Sequence, residues 1–542
     1  MTSINDLLDI NKNTPGPELF IGLVAPVGVD LRKLHSHLRA SLGRLGYDLK
    51  EIKLSQWIKN NSAKITDSND HVKLKSLMEV GSDCRRFSGR GEFLALAGVS
   101  EIREHRIKEY GYYESENKAE IADGSAQDTT LASQTPKTGT MPKVGQYICY
   151  ILNQLKHPEE VEILRWIYGA SFYLIGAYSS LDTRQKNLAA RIEASSDFER
   201  KECMTKALDL IEFDYSEASS DSFGQSIQKT FPQADVFFDE SDPNLVLEID
   251  RFVDLIFSNP FHSPTKDEQG MCLAKNASYR SADLARQIGA AITTERGEIV
   301  SIGCNEAARP EGGQYWSDDD DVDDKRDFQL GFDSNDRAKK EILTDLLEKL
   351  SDEFQLPVSI DDLVNKAISK TSKLGSARLF DVIEYFRSVH AEMAALIDAA
   401  RRGLPVSGAT MYATTFPCHE CAKHLVAAGI KRLIYIEPYP KSKALELFED
   451  AISLDVIDKS KTVFKSFVGV APRRYAELFD AGRLKRKTET GVKKNWLFKN
   501  GRLRRQELET AYVTKETYYS DLFNELATTV RAKLQLETAG QH

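Results

Sequence analysis

The sequence lacks long hydrophobic runs and has few cysteines. None of its 542 residues belongs to an apolar run of eighteen, and the first twenty residues lack the basic start and apolar stretch of a secretory signal. Both absences predict a cytoplasmic protein without a membrane segment. The seven cysteines, an odd number scattered along the chain, do not resemble a disulfide framework. Only Cys418 and Cys421 lie close together, a spacing typical of a metal site.

Positive charge is also scarce, since 72 Lys and Arg face 82 Asp and Glu, for a formal net charge of −10. Proteins that grip nucleic acid usually carry excess Lys and Arg, so a small molecule is the expected partner. Residues 483–505 are a local exception, in which ten basic residues accompany a single acid, Glu489. Trp496 and Phe498 in this basic segment would suit stacking on single-stranded bases. The alternatives are a surface hairpin or a collar for substrate phosphates.

The length predicts two or three domains, and 41% hydrophobic with 28% charged residues is typical of a globular protein. An apolar run at 18–24, a helix capped by Asp30 and a strand near 47–54 open a βαβ unit. We therefore expect an α/β front domain over residues 1–255. Residues 114–143 are polar and without periodicity, which predicts a mobile loop within it.

Helices and strands alternate again in a second domain, residues 256–542, after a break with two prolines near 259–267. An insertion at about 311–385 contains the acidic stretch 317–327. The expected helices are 271–289, 336–353, 381–402 and 418–428, and the expected strands are 290–294, 299–304, 410–415 and 432–436.

The turn after the first strand partly matches a phosphate-binding P-loop, which needs glycine, a lysine for the phosphates and Ser/Thr for magnesium. Gly22 and Gly28 are present, but Val29 and Asp30 follow where Lys-Ser/Thr is needed. Asn153 stands where a magnesium-holding Asp is wanted. These departures predict a kinase-like shape without hydrolysis, and hence a regulatory module that binds nucleotide without turning it over.

Two segments supply the parts of a zinc site. The sequence VHAEMAAL at 389–396 places His390 at the front of a helix, and TTFPCHEC at 414–421 places Cys418 and Cys421 at the front of another. Two thiolates and an imidazole form a soft tetrahedral site suited to zinc. Three protein ligands leave a fourth position for water, whose pKa zinc lowers towards neutrality.

Glu392 follows the ligand His390 by two residues, so it is expected beside the water and not on the metal. There one carboxylate could take the proton from water, protonate a ring nitrogen and protonate the leaving ammonia. H-x-E with P-C-x-x-C is the signature of zinc nucleobase deaminases, and every position matches.

Two other interpretations of these residues stay open. A lone C-x-x-C also occurs in structural zinc knuckles and redox pairs, and His419 or His424 could complete a closed site. Neither explains Glu392 two residues after a histidine, or Pro417 before the first cysteine. Catalysis is therefore the favoured interpretation.

Residues from about 271 to 480 resemble the deoxycytidylate deaminase family. The segments that carry the likeness are LARQIGAAIT at 284–293, SIGCNEAARPEGG at 301–313, HAE at 390–392, PCHECAKHLVAAGI at 417–430 and RLIYIEPYPKS at 432–442. The resemblance implies an α/β/α sandwich in which Asn305 binds the sugar hydroxyl. It also implies that the backbone at Ala391 and a threonine near Thr415 read the pyrimidine, although Phe416 intervenes before the motif proline.

The whole chain, with its P-loop-kinase-like front domain, resembles bacterial antiphage dCTP deaminases. That resemblance implies a zinc enzyme that deaminates free dCTP, and dCMP too, and that depletes the deoxycytidine nucleotide pool of an infected cell. It further implies a homo-oligomer, and control by an inhibitory RNA or another regulator is the matching hypothesis for the front domain. A nucleic-acid-editing deaminase, which shares the zinc motif, is the alternative function.

Three weaker predictions concern phosphate and magnesium. Arg280 and Arg286 are expected on the helix 271–289, where guanidinium groups could hold substrate phosphates. The acidic stretch 317–327 could coordinate nucleotide-bound Mg²⁺, although a solvated acidic loop is the commoner case.

Overall fold

The structure is a computed structural model that describes residues 16–65, 68–112, 142–216, 223–319, 323–354, 358–369, 373–439, 441–454, 460–482, 484–498 and 501–539. Residues 114–141 of the predicted mobile loop lie outside the described residues. The chain forms two compact units, Met1–His262 with Ala476–His542, and Ser263–Tyr475. Residues 476–542, which the sequence assigned to the second domain, thus belong by their contacts to the first unit. Within the described ranges, no helix is both long and apolar enough to cross a bilayer.

The first unit contains five parallel strands in the order β5-β4-β1-β3-β2. The strands are β1 Leu19–Val24, β2 Asp48–Lys53, β3 Ile148–Asn153, β4 Phe172–Tyr178 and β5 Val236–Asp239. All six residues of β1 are buried, as expected for an apolar central strand covered on both faces. The parallel α/β architecture predicted for the front of the chain is confirmed.

Helices cover both faces of this sheet because each parallel crossover returns the chain over a face. They are Leu31–Gly43, Leu54–Asn61, Asp70–Ser88, Phe93–Tyr110, Pro158–Tyr168, Leu181–Ala194, Arg200–Ser216, Ile227–Thr230, Leu245–Ile256 and Glu509–Ala539. Asp30 caps the first helix as predicted, since its carboxylate accepts a hydrogen bond from the Arg32 N–H. Helix Glu509–Ala539 packs on Phe93–Tyr110 and Asp70–Ser88, so the chain end is part of this unit.

The second unit is built on a mixed sheet in the order β12-β13-β11-β10-β6-β7. Its strands are β6 Gly289–Thr293, β7 Ile299–Cys304, β10 Thr410–Thr415, β11 Arg432–Glu437, β12 Ile452–Ser453 and β13 Thr462–Ser466, and a separate pair is β8 Glu306–Ala307 with β9 Ser388–Val389. Strands β10 and β11 are parallel, and β6 is antiparallel to both β10 and β7. The helices are Lys266–Ser278, Asp327–Leu330, Ser334–Phe354, Ile360–Ile368, Ala391–Arg401, His419–Ala427 and Ala444–Leu447. Helix Pro472–Phe479 crosses the boundary in sequence between the two units.

Two helix predictions were wrong over about ten residues each. The predicted helix 271–289 ends at Ser278, because the next residues turn away to hydrogen-bond with the loop after β7. The predicted helix 381–402 begins at Ala391, because Ser388 and Val389 pair with β8 instead. In both places tertiary hydrogen bonds outweigh a helical pattern.

One glycine explains how closely the helix and sheet of the second unit approach. A Cβ at Gly289, the first residue of β6, would overlap the carbonyl oxygen of Ala274 in helix Lys266–Ser278. Glycine is therefore required where the strand passes directly under the helix.

Candidate metal centre and active site

Three soft ligands converge between the starts of two helices. The ligand atoms of His390, Cys418 and Cys421 all lie within 4.8 Å of one another. The Nδ1 atom of His390 is 3.4 Å from each sulfur. Tetrahedral zinc, with Zn–N about 2.0 Å and Zn–S about 2.3 Å, would hold nitrogen and sulfur ligands about 3.5 Å apart. The spacing and the chemistry of the donors therefore fit a zinc ion.

Backbone geometry places each ligand. His390 is the residue before helix Ala391–Arg401, and Cys418 caps helix His419–Ala427, whose Cys421 N–H donates to the Cys418 sulfur at 3.4 Å. Strand β10 ends at Thr415 and delivers the chain to Cys418. Both cysteines thus lie at a helix N-terminus, where the partial positive charge favours thiolates.

Hydrogen bonding shifts the pKa values of the groups in this cluster. The hydrogen bond with Cys421, with a contribution from His390, lowers the pKa of Cys418 to about 4. Burial disfavours a charged imidazole, but hydrogen bonding to Cys418 and its charge outweigh that effect and raise the pKa of His390. The cluster therefore favours negative charge on sulfur, which a cation would neutralise.

Glu392 lies in the first turn of helix Ala391–Arg401 and is only 5% exposed. Burial raises the pKa of its carboxyl group, because desolvation penalises the charged form. A carboxyl group with a raised pKa accepts a proton more readily than an ordinary carboxylate does. The charges of His390 and Cys418 both act on it, so it belongs to the same electrostatic site.

The interpretation as a closed structural zinc site loses support. Within the ranges that the structure describes, the group of side chains close enough to share a metal is His390, Cys418 and Cys421, and neither His419 nor His424 joins it. A three-ligand centre leaves one position for water or substrate, as catalytic zinc sites do.

Asn305 fastens the segment that precedes β6. Its side chain accepts from the Ile288 N–H at 2.7 Å and donates to the Arg286 carbonyl at 2.8 Å. The residue is 6% exposed. In this structure its amide is thus bonded to the protein's own backbone, so the sugar contact implied by the resemblance stays a prediction.

A second link ties this segment to the metal cluster and was not predicted from the sequence. Ser388 lies two residues before His390, and its hydroxyl donates a hydrogen bond to the Asp283 carboxylate at 2.6 Å. The charge of Asp283 also helps to raise the pKa of His390. Single hydrogen bonds between distant residues leave no periodic pattern, so the sequence held no signal for this pair.

Thr415 and Arg286 meet at one carboxylate. The Thr415 hydroxyl is 3.4 Å from Glu437 Oε2, and Arg286 Nη1 is 3.3 Å from the same oxygen. The Arg286 guanidinium also lies 5.8 Å from the centre of the Tyr439 ring. Ala391, the other predicted pyrimidine contact, is fully buried at the start of its helix. Glu437 and Tyr439 were not singled out from the sequence.

Arg280 has a different environment. Its guanidinium donates to the side chain and carbonyl of Gln314 and to the carbonyl of Tyr315, at 3.1–3.2 Å. It also stacks 3.7 Å from the centre of the Trp316 ring. These contacts fasten the start of the insertion and occupy the group that was expected to hold phosphate. Arg280 and Arg286 both follow helix Lys266–Ser278, so their predicted helical position was wrong.

In the described part of the acidic stretch 317–327, three carboxylates pair with arginines and Asp323 pairs with Lys325. Asp319 bonds to Arg309 at 2.7 Å, Asp324 bonds to Arg326 at 2.7 Å, and Asp327 lies 3.4 Å from Arg387, while residues 320–322 lie outside the described part. Among the residues described, these carboxylates form no group that could share a cation. These contacts do not support a magnesium site, and the predicted solvated loop fits Asp323, which is 77% exposed, but not Asp319 and Asp327, which are 14% and 11% exposed.

The P-loop-like turn of the first unit is filled by the unit's own carboxylates. Gly22 lies inside β1, whereas Gly28 lies in the turn with φ +92°, where a Cβ would come 2.7 Å from the Arg184 carbonyl oxygen. The Val27 N–H donates to Asp214 at 2.8 Å, and the Asp30 N–H donates to Glu240. Carboxylates thus occupy donors that a phosphate would use in a P-loop.

Comparisons with known proteins support a metal-binding site in this part of the chain. Residues 264–437 match the family model described as "Cytidine and deoxycytidylate deaminase zinc-binding region". The second unit therefore contains a deaminase-type zinc-binding region, within which the P-C-x-x-C and H-x-E motifs lie.

Particular relatives match over short stretches. The deoxycytidylate deaminase of Enterobacteria phage T4 is 51% identical over 55 residues, which cover 10% of this chain and 28% of that protein. ComE operon protein 2 of Bacillus subtilis is 44% identical over 66 residues, 12% of this chain and 35% of the relative. The chain thus spans about a third or less of these relatives. A crystal structure of cyanophage S-TIM5 dCMP deaminase with dCMP and dUMP is 14% identical, with a TM-score of 0.22, over 38% of this chain and 99% of that one.

Proposed function

We propose that the unit Ser263–Tyr475 is a zinc-dependent hydrolytic deaminase of free deoxycytidine nucleotides, acting on dCTP and also on dCMP. The observation that carries the proposal is the convergence of His390, Cys418 and Cys421 beside the buried carboxyl group of Glu392. A structural zinc site needs no such carboxyl group, whereas hydrolytic deamination needs a proton carrier.

The three metal ligands and Glu392 have different roles in the proposed deamination. His390, Cys418 and Cys421 would hold zinc, which when bound lowers the pKa of water towards neutrality. Deamination forms a C–O bond at C4 of cytosine, breaks the C4–N bond and releases ammonia. Glu392 takes a proton from the attacking water and gives it to ring nitrogen N3, and it then takes the proton of the new hydroxyl group at C4 and gives it to the departing amine. Its raised pKa suits both directions of transfer.

The phosphate end of the substrate is assigned to Arg286 and not to Arg280. Arg286 is 45% exposed and pairs with Glu437 at 3.3 Å, so its guanidinium can exchange that partner for a phosphate. The contacts of Arg280 with Gln314, Tyr315 and Trp316 would have to break first. We therefore expect the surroundings of Arg286 to determine how the enzyme discriminates between triphosphate and monophosphate.

The decisive experiment measures ammonia release from dCTP, dCMP, CTP, cytidine and a cytosine-containing single strand. Zinc-loaded wild-type protein should act on dCTP and dCMP, and Glu392→Ala should lower turnover by about 10²–10⁴-fold while keeping its zinc. Glu420→Ala is the matched control, because Glu420 is an exposed carboxylate in the next ligand-bearing helix, bonded to Lys423. Zinc-loaded protein that releases no ammonia from either deoxynucleotide would refute the proposal. Conversion confined to the single strand would favour the editing alternative.

The proposed cellular role is depletion of the deoxycytidine nucleotide pool in phage-infected bacteria, by a homo-oligomer whose front unit is regulatory. The turn at Gly28, filled by Asp214 and Glu240, supports a unit that keeps a P-loop-kinase-like plan without its chemistry. Cells expressing wild-type protein should lose dCTP after infection, and cells expressing Glu392→Ala should not. Unchanged dCTP in infected wild-type cells would contradict this role. Light scattering would establish the subunit number, and purification from uninfected cells would show whether an inhibitory RNA or another regulator accompanies the protein.

A further inference from the structure

A cavity of about 390 Å³ lies in the first unit at the amino-terminal ends of β1, β2 and β3, away from the turn at Gly28. It is lined chiefly by aromatic and arginine side chains, namely Arg44, Tyr47, Tyr147, Phe257, Phe498 and Arg502. Its volume is within the range of small-ligand sites. Phe498 and Arg502 belong to the basic segment 483–505, which the deaminase chemistry does not use.

Aromatic rings form one wall of this cavity. The ring centres of Tyr47 and Tyr147 are 5.6 Å apart, and those of Tyr47 and Phe257 are 5.3 Å apart, both edge to face. Tyr47 and Phe257 are buried, whereas Tyr147 is 36% exposed. The Tyr147 ring therefore presents an aromatic surface to a planar ligand.

The backbone holds Tyr147 in an unusual conformation. Its φ is +53°, a left-handed value that favours glycine, and its N–H and carbonyl bond to the Gly16 carbonyl and the Asp48 N–H at 2.6 and 2.8 Å. The ring lies against Gly16, where a Cβ would overlap it. Non-glycine residues in this region cost energy and cluster at binding sites. Tyr147 is thus fixed where its ring lines the cavity.

Two guanidinium groups supply positive charge. Arg44 Nη2 pairs with Asp250 at 2.6 Å and its guanidinium lies 4.4 Å from the centre of the Phe498 ring. Arg502 is exposed, and its guanidinium donates to the Gly501 carbonyl at 3.3 Å. One carboxylate against two guanidiniums leaves the lining positive, and the surrounding basic segment adds to that field.

We infer that this cavity binds a nucleoside phosphate, with the base against Tyr147 and the phosphate at Arg502 and Arg44. An aromatic surface beside guanidinium groups matches the two halves of such a ligand, because arginine suits phosphate and tyrosine suits a stacked base. The site is separate from the zinc centre, and the inference does not depend on deaminase activity.

Calorimetric titration of the full chain with dATP, dGTP and dTTP tests the inference, since none of these carries a cytosine to deaminate. We expect saturable binding of one nucleotide per chain, weakened about ten-fold or more by Arg502→Glu. Arg505→Glu is the matched control, because Arg505 is an exposed arginine of the same segment that does not line the cavity. Tyr147→Leu, with the fold checked by circular dichroism, should weaken nucleotides but not inorganic triphosphate.

Three results would overturn the inference. One is the absence of saturable binding by any of the three nucleotides at millimolar concentration. Another is an equal loss of binding in Arg502→Glu and Arg505→Glu, which would indicate non-specific attraction to the basic segment. Binding should persist in the metal-free double variant Cys418→Ser/Cys421→Ser, and its loss there would assign the nucleotide to the zinc site instead.

Discussion

The two units each bury a cluster of ionisable groups, and the clusters differ in how completely their members are paired. In the first unit Arg106 is fully buried and bonds to both Glu18 and Glu516. Glu18 also accepts from the Gly145 N–H at 2.8 Å and the Tyr512 hydroxyl at 3.1 Å. In the second unit His390, Cys418 and Cys421 bring three metal-binding atoms within 4.8 Å of one another.

This difference distinguishes a cluster that stabilises the fold from a cluster that can bind a metal ion. The cluster around Arg106 closes on itself, because cation, carboxylates and donors satisfy one another. The cluster around His390 is held together by hydrogen bonds among groups whose electron pairs can also bind a metal, so it can accept a cation from outside. Substitutions in the two clusters should therefore have different effects. Those in the cluster around His390 should abolish metal binding and activity, and those in the cluster around Arg106 should lower the stability of the fold.

The largest effect is expected from removing the ligands. Cys418→Ser/Cys421→Ser should reduce bound zinc and ammonia release to background, because hydroxyl groups are poor substitutes for thiolates on zinc. Metal content by mass spectrometry and ammonia release would measure both. Cys272→Ser is the control, since Cys272 is a half-buried cysteine outside the cluster. Full zinc content in the double variant would mean that the ion is held elsewhere.

The second-largest effect is expected from breaking the cluster of Arg106, Glu18 and Glu516. Arg106→Met should lower the free energy of unfolding by about 3–5 kcal/mol, because Glu18 and Glu516 would stay buried without their cation. Urea unfolding would measure the loss, and zinc content should not change. Arg90→Met, which removes an exposed arginine paired with Glu92, should cost at most about 1 kcal/mol. Equal costs for the two substitutions would contradict the comparison.

The same contrast explains which parts of the molecule were predictable. The three candidate metal ligands and Glu392 were proposed from motif spacing, because each motif is local and lies at the start of a helix. Strands β7 and β10 were predicted with their observed bounds, since the apolar pattern and the flanking signals agree. Local information was sufficient for these elements.

Long-range pairings were not predictable. Arg106 meets Glu516 across 410 positions of sequence, and Ser388 meets Asp283 across 105. Neither pairing follows from periodicity or from a motif. The two wrong helix predictions, at 279–289 and 381–390, lie where such contacts hold the chain beside the zinc cluster. The contacts of the segment 280–288 therefore required the structure, whereas the candidate metal ligands were predicted from local motifs.

A smaller effect is expected at Asn305, which distinguishes positioning from substrate binding. Asn305→Ala should cost about 1–3 kcal/mol of stability, because the Ile288 N–H and the Arg286 carbonyl lose their partner. Thermal unfolding and KM for dCMP would be measured together. Asn276→Ala, an exposed amide on helix Lys266–Ser278, is the control. A raised KM with unchanged stability would assign Asn305 to the sugar and not to the segment 280–288.

The smallest effect is expected at Ser388, whose hydroxyl connects the strand before His390 to Asp283. Ser388→Ala should lower kcat/KM about five-fold with zinc retained, because the lost hydrogen bond to Asp283 is worth about 1 kcal/mol and lets the strand before His390 move. Ser388→Thr keeps the hydroxyl and should restore most of the activity. If the bond only stabilised the fold, the melting temperature would fall while kcat/KM stayed constant. A change in kcat/KM at constant stability would instead show that activity depends on how the ligands in the cluster around His390 are positioned.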